Sequence, residues 1–166
     1  MLTKNFYSYI KMALQKALAD FTLTDGSTTQ RDYISNGGNI PLKTMNVWAG
    51  SNSSNGVGFG TGTTPASVSD YKLESFLTHQ KISVANPSQV SFNKFDTYEE
   101  YTVTFGVTNI TAEAITISEV GLMATLDSSG GCNLVDRTVL DTPITIPAGQ
   151  SKQITYTIRF NYGDAV

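Results

Sequence analysis

The stretch of this chain whose residue types could hold a phosphate is the glycine-rich segment GVGFGTG, residues 56–62. A P-loop needs Gly-Lys-Ser/Thr shortly after its first glycine, but the first lysine after Gly56 is Lys72. A dinucleotide-binding G-x-G-x-x-G pattern needs a third glycine where Thr61 or Thr63 stands. The segment is therefore predicted to bind no nucleotide. Its alternating glycines indicate a flat, exposed strand edge, or a place where another backbone comes close.

The other side chains that could do chemistry are too few for a familiar catalytic or metal site. His79 is the single histidine and Cys132 the single cysteine, which excludes a paired-histidine metal site and an internal disulfide. We interpret His79 as a solvated imidazole at the start of a strand, and Cys132 as a free thiol in a loop. Glu99 and Glu100 are neighbours on a strand, so their carboxylates point to opposite faces. The sequence predicts no enzymatic activity, no cofactor and no metal.

The remaining charged residues are interpreted as surface charges. Asp70 and Glu74 lie in SVSDYKLES, which we interpret as a short helical turn with both carboxylates exposed. Charges at a strand edge deter pairing with other chains. We assign this role to three charges on a late strand: Asp136, Arg137 and Asp141.

The composition is that of one β-rich domain. A chain of 166 residues can bury one good core, and its charged fraction of 15% is low, with threonine, serine, asparagine and glycine in place of charged residues. A net charge of −3 and a pI near 5.0 argue against nucleic acid as the main partner. The chain lacks a stretch of about 18 apolar residues and a leader pattern. We therefore expect no membrane partner and a protein that is kept in a cytoplasm or is assembled there into something larger.

An amphipathic helix is predicted for residues 1–22, with Thr3 as a candidate N-cap. Its apolar residues recur at the helical period and form a stripe of Phe6, Ile10, Ala13, Leu14, Ala17 and Phe21, while Tyr7 and Tyr9 lie off it. Residues 23–41 follow as a turn-rich connector, which is long for a loop inside a compact domain. The stripe packs either on the domain's own sheet or on a neighbouring subunit. The length of the connector favours a contribution to the neighbour.

Residues 42–166 are predicted to form an antiparallel β-sandwich, immunoglobulin-like or jelly-roll-like, so the fold class is mainly β with a preceding α-helix. Segments of period-2 alternation recur about every dozen residues, without intervening helices. LKTMNVWAG (42–50) is the first candidate strand, and Asn86–Pro87 is predicted to be the turn of a hairpin. The solvent face of YEEYTVTFGVTN is assigned to Thr102, Thr104 and Thr108. The core is predicted to contain Val103, Phe105, Ile117, Ile154, Ile158 and Phe160.

Three blocks of this sequence resemble small structural proteins of tailed bacteriophages. They are GFGTGTTPASVSDYKLES, TNITAEAITISEVGLMA and RTVLDTPITIPAGQSKQITYTIRFNY, all within residues 56–162. In the family that they resemble, a glycine-rich segment ending at a proline precedes an acidic D-Y-x-L stretch. The chain then closes with P-I-T-I-P-A-G and a Y-T-I-R-F strand. The resemblance implies a non-enzymatic virion component in the tail, at the head–tail connection or on the capsid.

We therefore expect a structural virion protein whose partners are copies of itself and other virion proteins, located in the tail or head–tail region. The residues predicted to form its interfaces are Phe6, Tyr7, Ile10, Leu14, Gly58, Phe59 and Gly60. One alternative is a capsid decoration protein or a carbohydrate- or receptor-binding module, with candidate aromatic residues Trp48, Tyr71, Tyr98 and Tyr101. The other is an enzyme such as a glycosidase, which would need two acidic side chains about 5 to 10 Å apart in a pocket.

Overall fold

A computed structural model of the chain describes residues 1–15, 19–31, 56–85, 88–125 and 132–161. These residues form one helix and nine strands. In chain order the elements are α1 (Lys4–Gln15), β1 (Ala19–Thr22), β2 (Thr28–Arg31), β3 (Gly56–Gly60), β4 (Ile82–Val84), β5 (Gln89–Lys94), β6 (Tyr98–Asn109), β7 (Ile115–Thr125), β8 (Cys132–Ile146) and β9 (Ser151–Asn161). The described strands pair antiparallel, which confirms a mainly β fold with a short N-terminal helix. The predicted strand 42–50 lies outside the described residues.

One sheet has the strand order β3–β7–β8. Two register shifts interrupt the hairpin of β7 and β8. At the larger shift, residues 140–143 lie opposite Ser118 alone, and this bulge accommodates Pro143, which has no N–H for the ladder. At the smaller shift Val135 is the extra residue, and its carbonyl accepts a hydrogen bond from the Thr3 amide (2.9 Å). The second bulge therefore gives the N-terminal segment a place to bind the edge of β8.

The second sheet is centred on β6. β9 pairs along one edge of β6, whereas β4 and β5 both pair with the opposite edge, one after the other. The predicted hairpin across Asn86–Pro87 is therefore wrong, although these two residues themselves lie outside the described ranges. An Asn-Pro dipeptide interrupts strand pairing. It is therefore compatible with a hairpin turn and also with two successive strands, β4 and β5, that pair with the same edge of β6. The hairpin turn is at residues 95–97, where the Phe95 amide donates to the Tyr98 carbonyl (2.8 Å).

The two sheets contribute to one hydrophobic core. Its buried strand residues include Val57, Phe59, Ile82, Val103, Phe105, Val107, Ile117, Leu122, Ile146, Ile154 and Tyr156. Phe59 of β3 packs edge to face on Phe105 of β6, with ring centroids 6.3 Å apart. Two predicted core residues depart from the expectation: Ile158 is half-buried and Phe160 is exposed. Both lie near the Tyr98 end of β6, where Ile158 pairs with Tyr101 and Phe160 pairs with Glu99.

The outer face of the second sheet carries rows of hydroxyl groups, as its alternation predicts. Thr102 and Thr104 form cross-strand hydrogen bonds with Thr157 and Thr155 of β9, each 3.0 Å long. The Thr108 hydroxyl forms a hydrogen bond of the same kind with Ser151 of β9 (2.7 Å). Threonine is β-branched and its hydroxyl is hydrated, so it suits a strand face in contact with water.

The N-terminal helix is shorter than predicted. It ends at Gln15, and Phe21 lies buried in β1 instead of on the helical stripe. β1 and β2 form a hairpin around Gly26, whose φ of 87° suits glycine, so part of the predicted connector 23–41 is regular structure. Phe21 fits the predicted stripe because it follows Ala17 by four residues. That spacing does not distinguish a longer helix from a helix that is followed by a short strand.

The buried face of α1 also differs from the predicted stripe. Tyr9 is fully buried and Asn5 nearly so, whereas Ile10 and Tyr7 are exposed; the side chain of Leu14 lies outside the described set. Asn5 fits this face because its carboxamide exchanges two 2.8 Å hydrogen bonds with the backbone of Thr22 in β1. The Thr3 hydroxyl donates to the carbonyls of Leu134 and Val135, and the Phe6 amide donates to the Thr3 carbonyl (3.1 Å). Polar contacts with the sheet thus decide how the helix is oriented.

The contrast between the two faces of β6 can be tested on neighbouring residues. We expect Phe105→Ala to lower the free energy of unfolding by about 3–5 kcal/mol, because it leaves a cavity between the sheets. Thr104→Ala removes one exposed hydroxyl pair and should cost less than about 1 kcal/mol. Urea unfolding of both variants measures the difference. Equal losses would show that the two faces of β6 are assigned the wrong way round.

Candidate functional site

The glycine-rich strand β3 is buried, and the prediction of an exposed edge at Gly58, Phe59 and Gly60 is wrong. Val57 and Phe59 point into the core shared by the two sheets. The glycines between them lie on the opposite face, under residues 61–77. A Cβ on Gly58 would lie 2.9 Å from the Phe76 ring, and one on Gly60 would lie 2.7 Å from the Ser75 carbonyl oxygen. The alternation of glycine therefore serves close approach, but by this chain's own next segment.

Residues 61–77, which we call the acidic loop, fold back over β3. The Thr61 amide donates to the Ser75 carbonyl (2.9 Å), and the Leu77 amide donates to the Phe59 carbonyl (2.8 Å). Apolar residues under the loop form a small second core of Leu73, Met123, Cys132 and Leu134, with Phe76 packed against it. The acidic loop thus covers the outer face of the first sheet, where glycines leave room for it.

Arg137 of β8 lies at the centre of a charged cluster beneath the acidic loop. The residue is 2% exposed, and its guanidinium contacts three carboxylates. Its Nε donates to Glu119 of β7 (2.8 Å), while its two terminal nitrogens reach Asp70 (2.9 Å) and Glu74 (3.4 Å) of the loop. A planar guanidinium can bind several oxygens at once, which a lysine ammonium does less well. One arginine thereby ties the loop to two strands.

The Glu119 side chain binds backbone amides of the same loop. Its side chain is fully buried, yet its oxygens accept hydrogen bonds from the amides of Gly62 (3.1 Å), Glu74 (3.1 Å) and Ser75 (2.7 Å). A buried carboxylate is tolerated only when a cation and several donors replace its water. Arg137 and these three amides supply that replacement, so the loop is needed to complete the solvation of Glu119.

The two loop carboxylates also brace the loop internally. Glu74 accepts hydrogen bonds from the amide and the hydroxyl of Thr64, both 2.9 Å long, and Asp70 accepts one from the Ser67 amide (2.8 Å). The hydrogen bonds from Thr64, assisted by the charge of Arg137, lower the pKa of Glu74. Burial alone would lower the pKa of Arg137, but the hydrogen bonds to Asp70 and Glu119 outweigh it and raise that pKa. Glu74 and Arg137 therefore stay charged at neutral pH and hold the loop in place.

The sequence reading missed this cluster. Arg137 and Asp136 were interpreted as strand-edge charges, but both are buried. Asp136 accepts a 2.6 Å hydrogen bond from Tyr156 of β9, and burial together with this carboxylate raises the pKa of Tyr156 well above its usual value. One sequence feature did point to these residues, because all members of the cluster lie in the three blocks that resemble phage structural proteins. Asp70 and Glu74 lie in the first block, Glu119 in the second and Arg137 in the third.

The cysteine and the histidine occupy different settings from each other. Cys132 lies in β8 rather than in a loop; burial raises the pKa of its thiol to about 12, against a smaller lowering by the Thr24 hydroxyl. A thiol with so high a pKa is a poor nucleophile. His79 lies in an exposed turn. Among the described residues, no group of three or more His, Cys, Asp or Glu side chains could hold a metal ion.

The candidate aromatic residues for carbohydrate binding are not brought together. Tyr71 borders a groove of about 220 Å³ beside the acidic loop. Tyr98 lies at the β5–β6 turn under the Arg159 guanidinium, which is 4.2 Å from its ring centroid, and Tyr101 is half-buried between β5 and β9. Trp48 lies outside the described ranges. The three rings that the structure describes therefore do not form one stacking platform.

A second candidate site is an apolar surface that adjoins the core, against which Phe6, Tyr101 and Ile158 pack. Phe92, Tyr101 and Ile158 form one row across β5, β6 and β9. Phe160 lies beside this row and stacks on Phe6 of α1, with centroids 6.2 Å apart. We call this surface the apolar shelf, and its members are Phe6, Tyr7, Ile10, Val90, Phe92, Tyr101, Ile158 and Phe160. Several are strongly exposed, including Tyr7 (57%) and Phe92 (62%).

Comparison of the chain with protein-family models, with curated proteins and with solved structures found no match. Within the described residues, no helix is long and apolar enough to cross a membrane.

The charged cluster predicts different costs for two arginines. Arg137→Met leaves a buried carboxylate and two loop carboxylates without their cation, and we expect a loss of about 3–5 kcal/mol in the free energy of unfolding. Arg159→Met breaks an exposed pair with Glu100 and should cost less than about 1 kcal/mol. Chemical denaturation of the two variants provides the test. A loss in Arg137→Met no larger than in Arg159→Met would mean that the cluster does not hold the loop.

The acidic loop should also respond to pH through Glu74. Its pKa is lower in the folded state, so its ionisation stabilises the protein above its ordinary pKa near 4.5, and that contribution is lost as the pH falls through the folded value. We expect the difference in Tm between the natural chain and Glu74→Gln to be largest near neutral pH. The difference should shrink below about pH 4.5, where the carboxyl becomes protonated and resembles the amide. A constant difference across this range would contradict the assignment.

Proposed function

We propose that this protein is a non-enzymatic structural component of a tailed-bacteriophage virion, which assembles in the tail or head–tail region through repeated contacts with copies of itself and with other virion proteins. The observation that carries the proposal is the apolar shelf. Soluble monomers rarely expose a continuous apolar surface of this kind, and such surfaces commonly mark protein–protein interfaces. The resemblance of residues 56–162 to phage structural proteins supports the choice of a virion.

The position of the shelf supports assembly through symmetry. It joins residues of α1 to residues of β5 and β9, which are far apart in the sequence. A surface made from four elements, since Tyr101 of β6 also belongs to it, has a defined shape, so each copy presents the same contact to its neighbours. Leu14 was predicted to belong to this interface, and the proposal keeps Phe6, Tyr7 and Ile10 from that set. Gly58, Phe59 and Gly60 are no longer included because they are buried.

We further propose that the two larger sheets form a β-sandwich. The shared core, the contact between Phe59 and Phe105, and the hydrogen bond from Tyr156 to Asp136 support a face-to-face arrangement. The acidic loop covers the outer side of one sheet and the hydroxyl rows cover the outer side of the other. Such a domain directs its remaining apolar surface, the shelf, towards a partner.

We expect the double variant Tyr7→Lys/Ile10→Lys to remain folded and to self-associate less than the natural chain. Both side chains are exposed in the described structure, so the charges are hydrated in the monomer but would be desolvated in an interface. The matched control is Ile110→Lys, which replaces an apolar side chain of similar exposure (51%) in the β6–β7 loop. Sedimentation velocity over a range of concentrations measures the association of all three proteins.

The same proposal predicts where the protein is found. Antibodies against the chain should label phage particles from the producing host at one defined position, seen by immunogold electron microscopy. Labelling of no particle, together with a natural chain that stays monomeric, would contradict a structural role. If the double variant and the control associate equally, α1 does not contribute to the interface.

A further inference from the structure

The outer edge of β5 carries little charge and has two strongly exposed apolar side chains, Val90 and Phe92. Among the described strands β5 pairs with β6 alone. β9 also has a free edge, but it carries Lys152 and Arg159, and charged side chains of this kind prevent unwanted strand pairing. In β5 the sequence QVSFNK has one charge, Lys94, at its end. The first five residues of this strand, residues 89–93, are therefore neutral.

The backbone of β5 presents hydrogen-bonding groups outward. The Phe95 amide donates to the Tyr98 carbonyl, which places these two residues in a hydrogen-bonded pair. Because hydrogen-bonded and non-hydrogen-bonded pairs alternate in an antiparallel ladder, the N–H and C=O groups of Val90, Phe92 and Lys94 point away from β6. Val90 (55% exposed) and Phe92 (62%) also leave their side chains uncovered on the inner face. The edge thus combines backbone groups that bind no other described strand with uncovered apolar side chains.

We propose that β5 pairs antiparallel with β5 of a second copy of this chain, across a twofold axis at Ser91. In this register Val90 of each copy lies opposite Phe92 of the other, on the face that carries the apolar shelf. The outer face carries only neutral polar residues, namely Gln89, Ser91 and Asn93. The two Lys94 side chains lie at opposite ends, about 20 Å apart at the rise of a strand, so they do not repel each other. Two antiparallel copies of β5 can therefore pair without bringing like charges together.

This pairing rests on the proposed self-assembly and names the surface and the partner. It joins the two β4/β5–β6–β9 sheets into one continuous sheet, and it brings the Phe92–Tyr101–Ile158 rows of both copies side by side. Strand addition supplies main-chain hydrogen bonds for affinity, while the alternating side chains set the register. A twofold contact of this type is isologous, so it closes after two copies.

Disulfide trapping of the full-length chain tests the register. The backbone groups of Ser91 point towards β6, so Ser91 and its symmetry mate form a non-hydrogen-bonded pair with Cα atoms about 4.5 Å apart, within disulfide range. We expect Ser91→Cys to give a covalent dimer under mild oxidation. Asn93→Cys is the matched control on the same face, because its mate lies about 13 Å away in this register. The natural chain, whose Cys132 is buried, should not cross-link.

A second variant tests the pairing without a new thiol. Phe92→Lys puts an ammonium into the contact twice, once from each copy, and we expect the dissociation constant of the dimer to rise by about 100-fold or more. Circular dichroism and thermal melting should match the natural chain, because Phe92 is exposed in the monomer.

The outcomes separate this inference from the proposed function. An oligomeric natural chain in which Ser91→Cys fails to cross-link overturns the β5 pairing but leaves assembly through another part of the shelf. Cross-linking of Asn93→Cys as readily as Ser91→Cys rejects the register. A monomeric natural chain with an unreactive Ser91→Cys thiol shows that another segment of the same chain covers the edge, and it overturns both proposals.

Discussion

Glu119 and Arg137 place opposite charges within the β3–β7–β8 sheet, where water cannot solvate either of them. Removing a carboxylate and a guanidinium from water is costly, and a single ion pair rarely compensates for it. Here the compensation comes from the acidic loop, which adds three backbone amides to Glu119 and two carboxylates to Arg137. The sheet and the loop therefore stabilise each other, and neither arrangement is favourable alone.

Several other features follow from this mutual dependence. Because the loop must approach the sheet closely, the strand beneath it alternates glycine with core residues, and Gly121 of β7 is likewise crowded by Leu73 and by the Asp136 carbonyl. Because the loop covers the outer face, Gly58 and Gly60 are buried there, while Val57 and Phe59 are buried in the shared core on the other face, although β3 is the end strand of its sheet. The glycine-rich segment that could have been a phosphate loop is thus the floor on which the acidic loop lies.

The second sheet lacks an equivalent cover at one end. Tyr101 and Ile158 adjoin its core, Phe92 beside them is exposed, and Phe6 of α1 lies next to this row without covering it. An apolar surface left open by one copy gains stability when another protein covers it, which links the incomplete packing of the monomer to assembly.

The sequence alone determined what depends on local pattern. Period-2 alternation identified β6 and β9 with the correct faces, because burial of one face of a pleated strand constrains every second residue. The mainly β class, the existence of the N-terminal helix and the failure of GVGFGTG to match a nucleotide loop were likewise readable from spacing. The resemblance marked the blocks that contain Asp70, Glu119 and Arg137, but not what these residues do.

Only the tertiary structure decided which charges are buried and which apolar residues are exposed. A single sequence does not reveal that Arg137 meets carboxylates 18, 63 and 67 residues away, because that contact depends on the loop folding over the sheet. Alternation along β9 also does not state how far the core extends along the strand, so Phe160 was assigned to the core with Ile154. The helix stripe failed for the same reason: Tyr9 is buried instead of Ile10 because Asn5 and Thr3 bind backbone groups of β1 and β8. These choices are made by partners distant in the chain, and pattern within a segment carries no information about them.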